Sequence, residues 1–433
     1  MKVLKYTDAD FDAKLSAVLA TSSLFDAEIE KRVLKIVEQV RLRGDQALVD
    51  FAAQFDKVQL DASRLRVTVE EEVTAALKTV IQPGVDGALK EALKNITSFA
   101  KKSLRKNWQS KNSHGALVGE KFDPFRRVGI YVPAGKAPLA SSALMTISLA
   151  KVAGCKEIVV CTPCGKDGVL QPELLYAAVL AGATEIYRVG GAQAIAAMAY
   201  GTSTIGKVQK IFGPGNAYVV VAKRMLFGHV SVDLLPGPSE VLVIADSSAN
   251  PAFIAADILA QAEHGSGKER VWLVSTSEKI LERVKREIAR QLERAERREL
   301  LSEVLEKGTA LILAKNIQHA VELANLLAPE HCEVMTKDPR SVAEGIHTAG
   351  ALMLGRYSPA VLGDYVAGPS HVLPTGGAGV SFAGLTVDQF QRRTSLVEYT
   401  KENLKKALPA VKKFASMEGL TAHGRSAELR LED

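Results

Sequence analysis

The sequence predicts an α/β protein with two similar parallel-sheet domains, a helical amino-terminal region and a helical carboxyl-terminal tail. Three observations carry this reading. From Arg127 onward, short β-branched runs alternate with helical patterns, which implies right-handed βαβ units and parallel sheets. The alternation begins again after the Pro/Gly corner Pro236-Gly237-Pro238. Before residue 127 and after about residue 382 the pattern is helical, and the tail is charged. A chain of 433 residues is in any case too long for one core.

The elements follow in order. Asp26 is placed to cap a helix that runs through Arg41. Further helical patterns cover residues 70–80 and 88–102. Val128-Gly129-Ile130-Tyr131-Val132-Pro133 reads as a buried strand. A Gly/Ala-rich loop and helix 141–153 follow. Strand 157–161, helix 172–180, strand 185–189, helix 192–200 and strand 208–212 complete a first sheet domain at 128–236. A second, at 237–380, begins with strand 240–245, helix 252–262, strand 270–275 and a long charged helix at 279–298. Strand 310–313, helix 317–327, strand 333–336, a short helix and strand 351–354 close it. Residues 1–127 are expected to pack on this second domain, and 381–433 form the tail. No low-complexity linker intervenes, so the parts should pack together.

Composition excludes several classes. The chain is 47% hydrophobic, 24% charged and 6% aromatic, with a net charge of +6, as in an ordinary globular protein. Its one basic knot, Lys101, Lys102, Arg105 and Lys106, reads as a solvated helix face. A nucleic-acid or membrane patch would need a denser run with aromatic residues between the charges. No apolar run is long enough for a transmembrane helix, and the first residues lack a signal-peptide core. A cytoplasmic location is expected. The cysteines at 155, 161, 164 and 332 are too few for a disulfide framework. Cys161-Thr162-Pro163-Cys164 has no second pair to complete a zinc site, so it reads as reduced thiols at a strand end.

A nucleotide site is suggested without its usual fingerprint. There is no Gly-x-Gly-x-x-Gly and no Gly-Lys-Ser/Thr phosphate loop. Three Gly-rich strand exits occur instead: Pro133-Ala134-Gly135-Lys136, Gly190-Gly191-Ala192-Gln193 and Gly213-Pro214-Gly215-Asn216. All fall at carboxyl ends of strands, where open α/β sheets bind ligands, and helix N-termini there favour anions. A tight turn explains any one of them. Three on one edge favour a nucleotide.

Four polar clusters read as one divided metal and acid/base site. They hold four of the eight histidines. Gln261 and His264 share a helix face at i and i+3, and Gly265 is placed as the helix stop. A capping histidine is the plainer reading of that pair alone. Pro329 ends a helix before Glu330 and His331, which offer two proton-transfer groups of different pKa; a salt-bridged surface pair is the alternative. Asp364 sits in a Pro/Gly-flanked loop, and His371 comes seven residues later. Glu418 and His423 lie in the tail, where spacing alone does not tie them to the rest. Carboxylate, amide and imidazole donors suit a borderline divalent ion such as zinc. A zinc hydrolase would also use such a set. However, His-Glu-x-x-His is absent, and the Gly-rich edge would be idle.

The chain resembles the histidinol dehydrogenase family in motifs that run in order over nearly its whole length. They include Gly129-Ile130-Tyr131-Val132-Pro133, Gly213-Pro214-Gly215-Asn216-Ala217-Tyr218-Val219, Gly237-Pro238-Ser239-Glu240, Gln261-Ala262-Glu263-His264-Gly265, Ala328-Pro329-Glu330-His331, Gly363-Asp364-Tyr365, Gly368-Pro369-Ser370-His371 and Glu418-Gly419-Leu420-Thr421-Ala422-His423. The resemblance implies that the sheet domains are incomplete Rossmann-like units. It implies zinc on Gln261, His264, Asp364 and His423, and an acid/base pair at Glu330 and His331. It implies substrate contacts at Ser239, His371 and Glu418, besides the zinc ligands and the acid/base pair. It implies an NAD site lined by Tyr131, Gln193 and Asn216, and a homodimer whose tails complete each other's sites. The implied reaction is oxidation of L-histidinol to L-histidine through the aldehyde with two NAD+. Another amino alcohol as substrate, and a non-catalytic metal-binding relative, are the rival readings. Three positions depart from the family pattern: Ala134, where a glycine is usual, Ala360, where a glutamate is frequent, and Ser370, where an asparagine is common.

Overall fold

The computed structural model describes residues 1–20, 26–68, 84–134, 139–264 and 266–432, and residues 72, 74, 75 and 78. Its strands are β1 (Lys2–Lys5), β2 (Trp108–Lys111), β3 (Leu117–Pro124), β4 (Arg127–Tyr131), β5 (Glu157–Thr162), β6 (Glu185–Arg188), β7 (Lys210–Phe212), β8 (Ser231–Val232), β9 (Glu240–Ala245), β10 (Arg270–Ser275), β11 (Thr309–Leu313), β12 (His331–Met335), β13 (Ala351–Leu354) and β14 (Gln391–Glu398). They form two parallel sheets, as the alternating pattern predicts. One has five strands in the order β6-β5-β4-β7-β8, the other six in the order β1-β11-β10-β9-β12-β13. A third sheet, β14-β3-β2, is antiparallel.

Both parallel sheets are covered on both faces, which is why their strands are continuously apolar. On the first sheet, Val128, Ile130 and Val132 face one core with helix Ala140–Ala153. Tyr131, Val159 and Cys161 face the other with helix Gly191–Tyr200. On the second, Leu242, Cys332 and Val334 pack with helix Ile317–Leu327. Val241, Val243 and Met335 pack with helix Pro251–Ala262.

The amino-terminal region is less uniformly helical than expected, and it divides between the sheets. Lys2–Lys5 sets Val3 and Leu4 between two lysines and adds a short parallel edge strand to the second sheet. Phe11, Leu15 and Val18 of the next helix pack there too. Helix Ala27–Arg43 instead buries Val33, Ile36, Val37 and Val40 on the first sheet. Asp26 caps it, accepting from Glu28 N at 2.9 Å and Ile29 N at 3.2 Å. Helix Val85–Ser103 covers the opposite face of that sheet with Ala92, Ile96 and Ala100. The helical pattern at 70–80 falls largely outside the described residues.

Further differences have local causes. The long charged helix is two, Glu278–Leu292 and Arg298–Lys307. The intervening run is so rich in Arg and Glu that no apolar stripe continues across it. In the tail, β14 precedes helices Lys401–Met417 and Thr421–Leu429. Its polar, mostly exposed sequence hides the two-residue period. Asp364 sits in a short helix, Ala360–Tyr365, rather than a loop. Gly265 lies outside the described residues, and its helix ends at Ala262 with Glu263 as cap.

Topology separates two sheet edges. The Gly-rich exits of β4, β6 and β7 share the carboxyl edge of the first sheet. Helix Pro251–Ala262 returns antiparallel to β9, so its last turn reaches the amino edge of the second sheet. There β9 starts at Glu240 and β12 at His331, with His331 in register with Val241.

Candidate functional site

The carboxyl edge of the first sheet opens into a cavity of about 1310 Å³. Tyr131, Gln193 and Asn216 all line it. Two of them also have a structural task. The Tyr131 hydroxyl accepts from Gly191 N at 3.1 Å and so holds the turn before helix Gly191–Tyr200. Burial pushes that phenol up to about 12. Asn216 Oδ1 caps its helix, accepting from Tyr218 N at 3.0 Å and Val219 N at 3.3 Å. Gln193 is buried. The Gly213 loop is clamped from below. Its N–H donates to Asp233 at 2.8 Å, and Lys223 pairs with the same carboxylate while donating to Gly213 O at 3.0 Å and Leu234 O at 2.7 Å. Gly213 has φ of 110°, and a Cβ there would meet Tyr131 O at 2.0 Å, so only glycine fits. Ala134 lines the cavity too, whereas Gly135 and Lys136 lie outside the described residues.

Sequence reasoning missed the opposite wall. Arg32, Lys35, Phe55 and Asp56 of the amino-terminal region line the cavity as well. No local motif marks them, because packing on the first sheet is what brings them there. Cys164 lines the cavity, and Cys161 is buried behind it at the end of β5. Burial pushes both thiols up, which opposes thiolate redox chemistry and agrees with reduced cysteines.

The amino edge of the second sheet gathers Glu330 and His331, the pair expected to act as acid and base. Glu330 is 6% and His331 2% exposed. Ala328, left-handed at φ of 43°, ends helix Ile317–Leu327 and turns the chain into β12. Glu330 accepts the Glu240 N–H at 2.8 Å, and His331 Nδ1 faces Glu240 O at 3.4 Å. The backbone N–H and C=O of one residue of β9, Glu240, thus face the two side chains. His331 Nε2 has no hydrogen-bond partner and lies 3.6 Å from Asp364 Oδ1. Burial pushes the Glu330 carboxyl well up and the His331 imidazole down. A neutral His331 can accept a proton near neutral pH, and an ionised Glu330 there is a stronger base than in water.

His371 joins this edge to the first domain. Its Nδ1 faces Asp364 O at 2.9 Å, and its Nε2 faces Ser142 Oγ at 3.1 Å, on helix Ala140–Ala153. Burial lowers this imidazole as well. Ser142 and Glu240 were not expected. A buried acid opening an otherwise apolar strand was the available signal for Glu240, which is pushed up to about 7 by burial. Ser370 accepts from Val372 N at 3.3 Å and so helps shape the turn at His371.

The proposed metal ligands are only partly brought together. Gln261 is 3% exposed, with an unpartnered amide nitrogen. An amide oxygen and nitrogen exchange places on a side-chain flip, so this buried amide can present its oxygen. His264 faces Gln261 O through Nδ1 at 3.2 Å, which leaves Nε2 for coordination, and its charged form would lower His331 and His371 further. Asp364 borders the same imidazoles. His423 lies elsewhere, with Glu418, His114, Tyr399 and Phe414 around a cavity of about 320 Å³ beside the tail. Among the described residues, no group of three His, Cys, Asp or Glu side chains stands ready to hold a metal ion. The amide, imidazole and carboxylate donors fit zinc in type but lack one ligand within a single chain. Ser239 precedes Glu240 at the same edge and is half-buried.

Comparison with known proteins adds a second line of findings. A family model described as histidinol dehydrogenase matches residues 19–431. The histidinol dehydrogenase of Syntrophotalea carbinolica is 41% identical over 433 residues, covering all of both chains. That of Geobacillus kaustophilus is 45% identical over 405 residues, 94% of each. The crystal structure of histidinol dehydrogenase from Elizabethkingia anophelis superposes with a TM-score of 0.94 at 34% identity, covering 100% of this chain and 98% of that one. An acetylating aldehyde dehydrogenase from Geobacillus thermoglucosidasius, with a TM-score of 0.51 and 17% identity, covers 86% of this chain and 97% of its own and shares the fold alone.

Proposed function

The chain belongs to the histidinol dehydrogenase family, and from that premise we propose that it oxidises L-histidinol to L-histidine through L-histidinaldehyde, in a cytoplasmic homodimer, with zinc and two successive NAD+. Its class is that of an NAD-dependent dehydrogenase of histidine biosynthesis. The observation that carries the proposal is the placement of Glu330 and His331 on the backbone N–H and C=O of Glu240, with Asp364 3.6 Å from His331.

In the first oxidation, His331 would take the alcohol proton, and NAD+, when bound, would supply the hydride acceptor. In the second, Glu330 would take a proton from the water that adds to the aldehyde. Both oxidations are at one carbon, so two equivalents of NAD+ would be needed and the aldehyde would have to stay held between them. Ser239 and His371, with Glu418 of the partner subunit, hold the substrate. Tyr131, Gln193 and Asn216 border the cofactor. Gln261, His264 and Asp364 would hold zinc together with His423 of the partner subunit. When bound, zinc supplies an anchor for the substrate's imidazole and amine nitrogens. The separation of His423 from the other three ligands within one chain supports the shared site. Exposed apolar side chains on the tail, Phe414, Met417 and Leu420, leave a face for a second copy. Among the described residues, no helix is long and apolar enough to cross a membrane.

Chelation should abolish NADH formation from L-histidinol, and added zinc should restore it. His264→Ala should be inactive and stay so in excess zinc. Full turnover by metal-free protein would remove the anchoring role and leave these residues as structural polar groups.

A further inference from the structure

Two carboxylates lie behind the acid/base pair, and the chemistry above uses neither. Glu333 is two residues beyond His331 on β12, so the side chains share the face toward helix Pro251–Ala262. It is 1% exposed. Its Oε1 accepts the Ala360 N–H at 2.7 Å. Ala360 is the first residue of helix Ala360–Tyr365, which carries Asp364 and whose N-cap, Pro359, supplies no side-chain cap. The other acid, Asp257, lies one turn before Gln261 and faces the Glu333 carboxyl. The strand bearing His331, the helix bearing Gln261 and the helix bearing Asp364 therefore meet at one side chain.

We propose that Glu333 is a positioning residue: by capping helix Ala360–Tyr365 from β12, it sets where Asp364 stands relative to His331 and Gln261. The N-cap residue supplies no side-chain hydrogen bond, so Glu333 ties the start of this six-residue helix to β12, while His371 Nδ1 faces Asp364 O near its other end. A shift at Ala360 is carried along the helix to Asp364, one turn away. Buried groups that orient ligands and general bases typically act this way. The consequence for zinc and for turnover rests on the function proposed above. The cap itself does not.

The test compares Glu333→Gln with Glu333→Met. Glutamine keeps the oxygen that accepts from Ala360, and its amide nitrogen can donate to Asp257. Methionine fills similar volume and accepts nothing of that strength. In Glu333→Met, amide hydrogen exchange over 360–365 should quicken in the metal-free protein. Zinc affinity, read by competition with a chelator, and kcat should each fall by roughly 10- to 100-fold, with the KM for NAD+ unchanged. Glu333→Gln should stay near wild type in all four readouts. Unchanged exchange in Glu333→Met overturns the proposal, whatever the enzyme does. So does a loss in Glu333→Gln equal to that in Glu333→Met, which would mean a need for charge. If methionine prevents folding, a Glu333→Gln protein that folds but has lost zinc affinity overturns it as well. Wild-type protein without zinc binding or L-histidinol oxidation would instead overturn the functional reading, and the exchange experiment would still decide on the cap.

Discussion

Co-expressed His264→Ala and His423→Ala chains should recover about a quarter of wild-type activity, although each homodimer alone is nearly inactive. The reason is geometric. His264 stands at the amino edge of the second sheet, near His331 and His371. His423 stands on helix Thr421–Leu429 beside a separate cavity, with His114 and Tyr399. If the tail completes the other subunit's site, each homodimer has two damaged sites. A hybrid dimer has one site with both defects and one with neither. Random pairing makes about half the dimers hybrid, each with one intact site of two, so about a quarter of the activity returns. If both histidines served the same chain, every site would carry a defect and nothing would return. Verified hybrids without activity would reject the shared site.

Replacing the acid/base residues should divide the two oxidations. His331→Asn should slow alcohol oxidation by roughly 100-fold or more, the range for loss of a general base. Aldehyde oxidation should suffer less. Glu330→Gln should do the reverse, because only the second step needs an activated water. Both residues face the backbone of Glu240, Glu330 at its N–H and His331 at its C=O. Glutamine still accepts that N–H, so the loss should report proton transfer rather than collapse of the edge. Single-turnover experiments started separately from alcohol and aldehyde distinguish the steps. Equal losses in both steps for both variants would contradict the division of roles.

Much of the fold is legible in the sequence where burial on two faces writes a continuous apolar run. β9 and β10 have the expected bounds, and so do helix Ile317–Leu327 and the partly exposed β13, whose Ala351-Leu352-Met353-Leu354 is an apolar run although it lies at an edge. Legibility fails where an element is short, polar or at an edge. β1 and β14 are read as part of helical regions because their few apolar residues show no run. Asp364 is expected in a loop because Gly and Pro flank it, yet a carboxylate from β12 caps a helix there. That partner is distant in sequence. The candidate site follows the same division. Tyr131, Gln193 and Asn216 sit in local Gly-rich motifs and reach one cavity. Glu330, His331 and Asp364 also come together. Ser142, Glu240 and the cavity wall from Arg32 to Asp56 emerge only when the domains pack. His423 stays apart from the other proposed ligands within one chain, and no spacing argument could have placed it.

The most direct test of the central claim is a complete conversion of limiting L-histidinol by the zinc-loaded protein in excess NAD+, with NADH, histidine and free aldehyde counted together. The account predicts two NADH for each histidine formed and no aldehyde captured by an added carbonyl trap, because the intermediate stays bound between Glu330 and His331 while the cofactor is exchanged. One NADH for each L-histidinol consumed, with trapped aldehyde as the product, would contradict it.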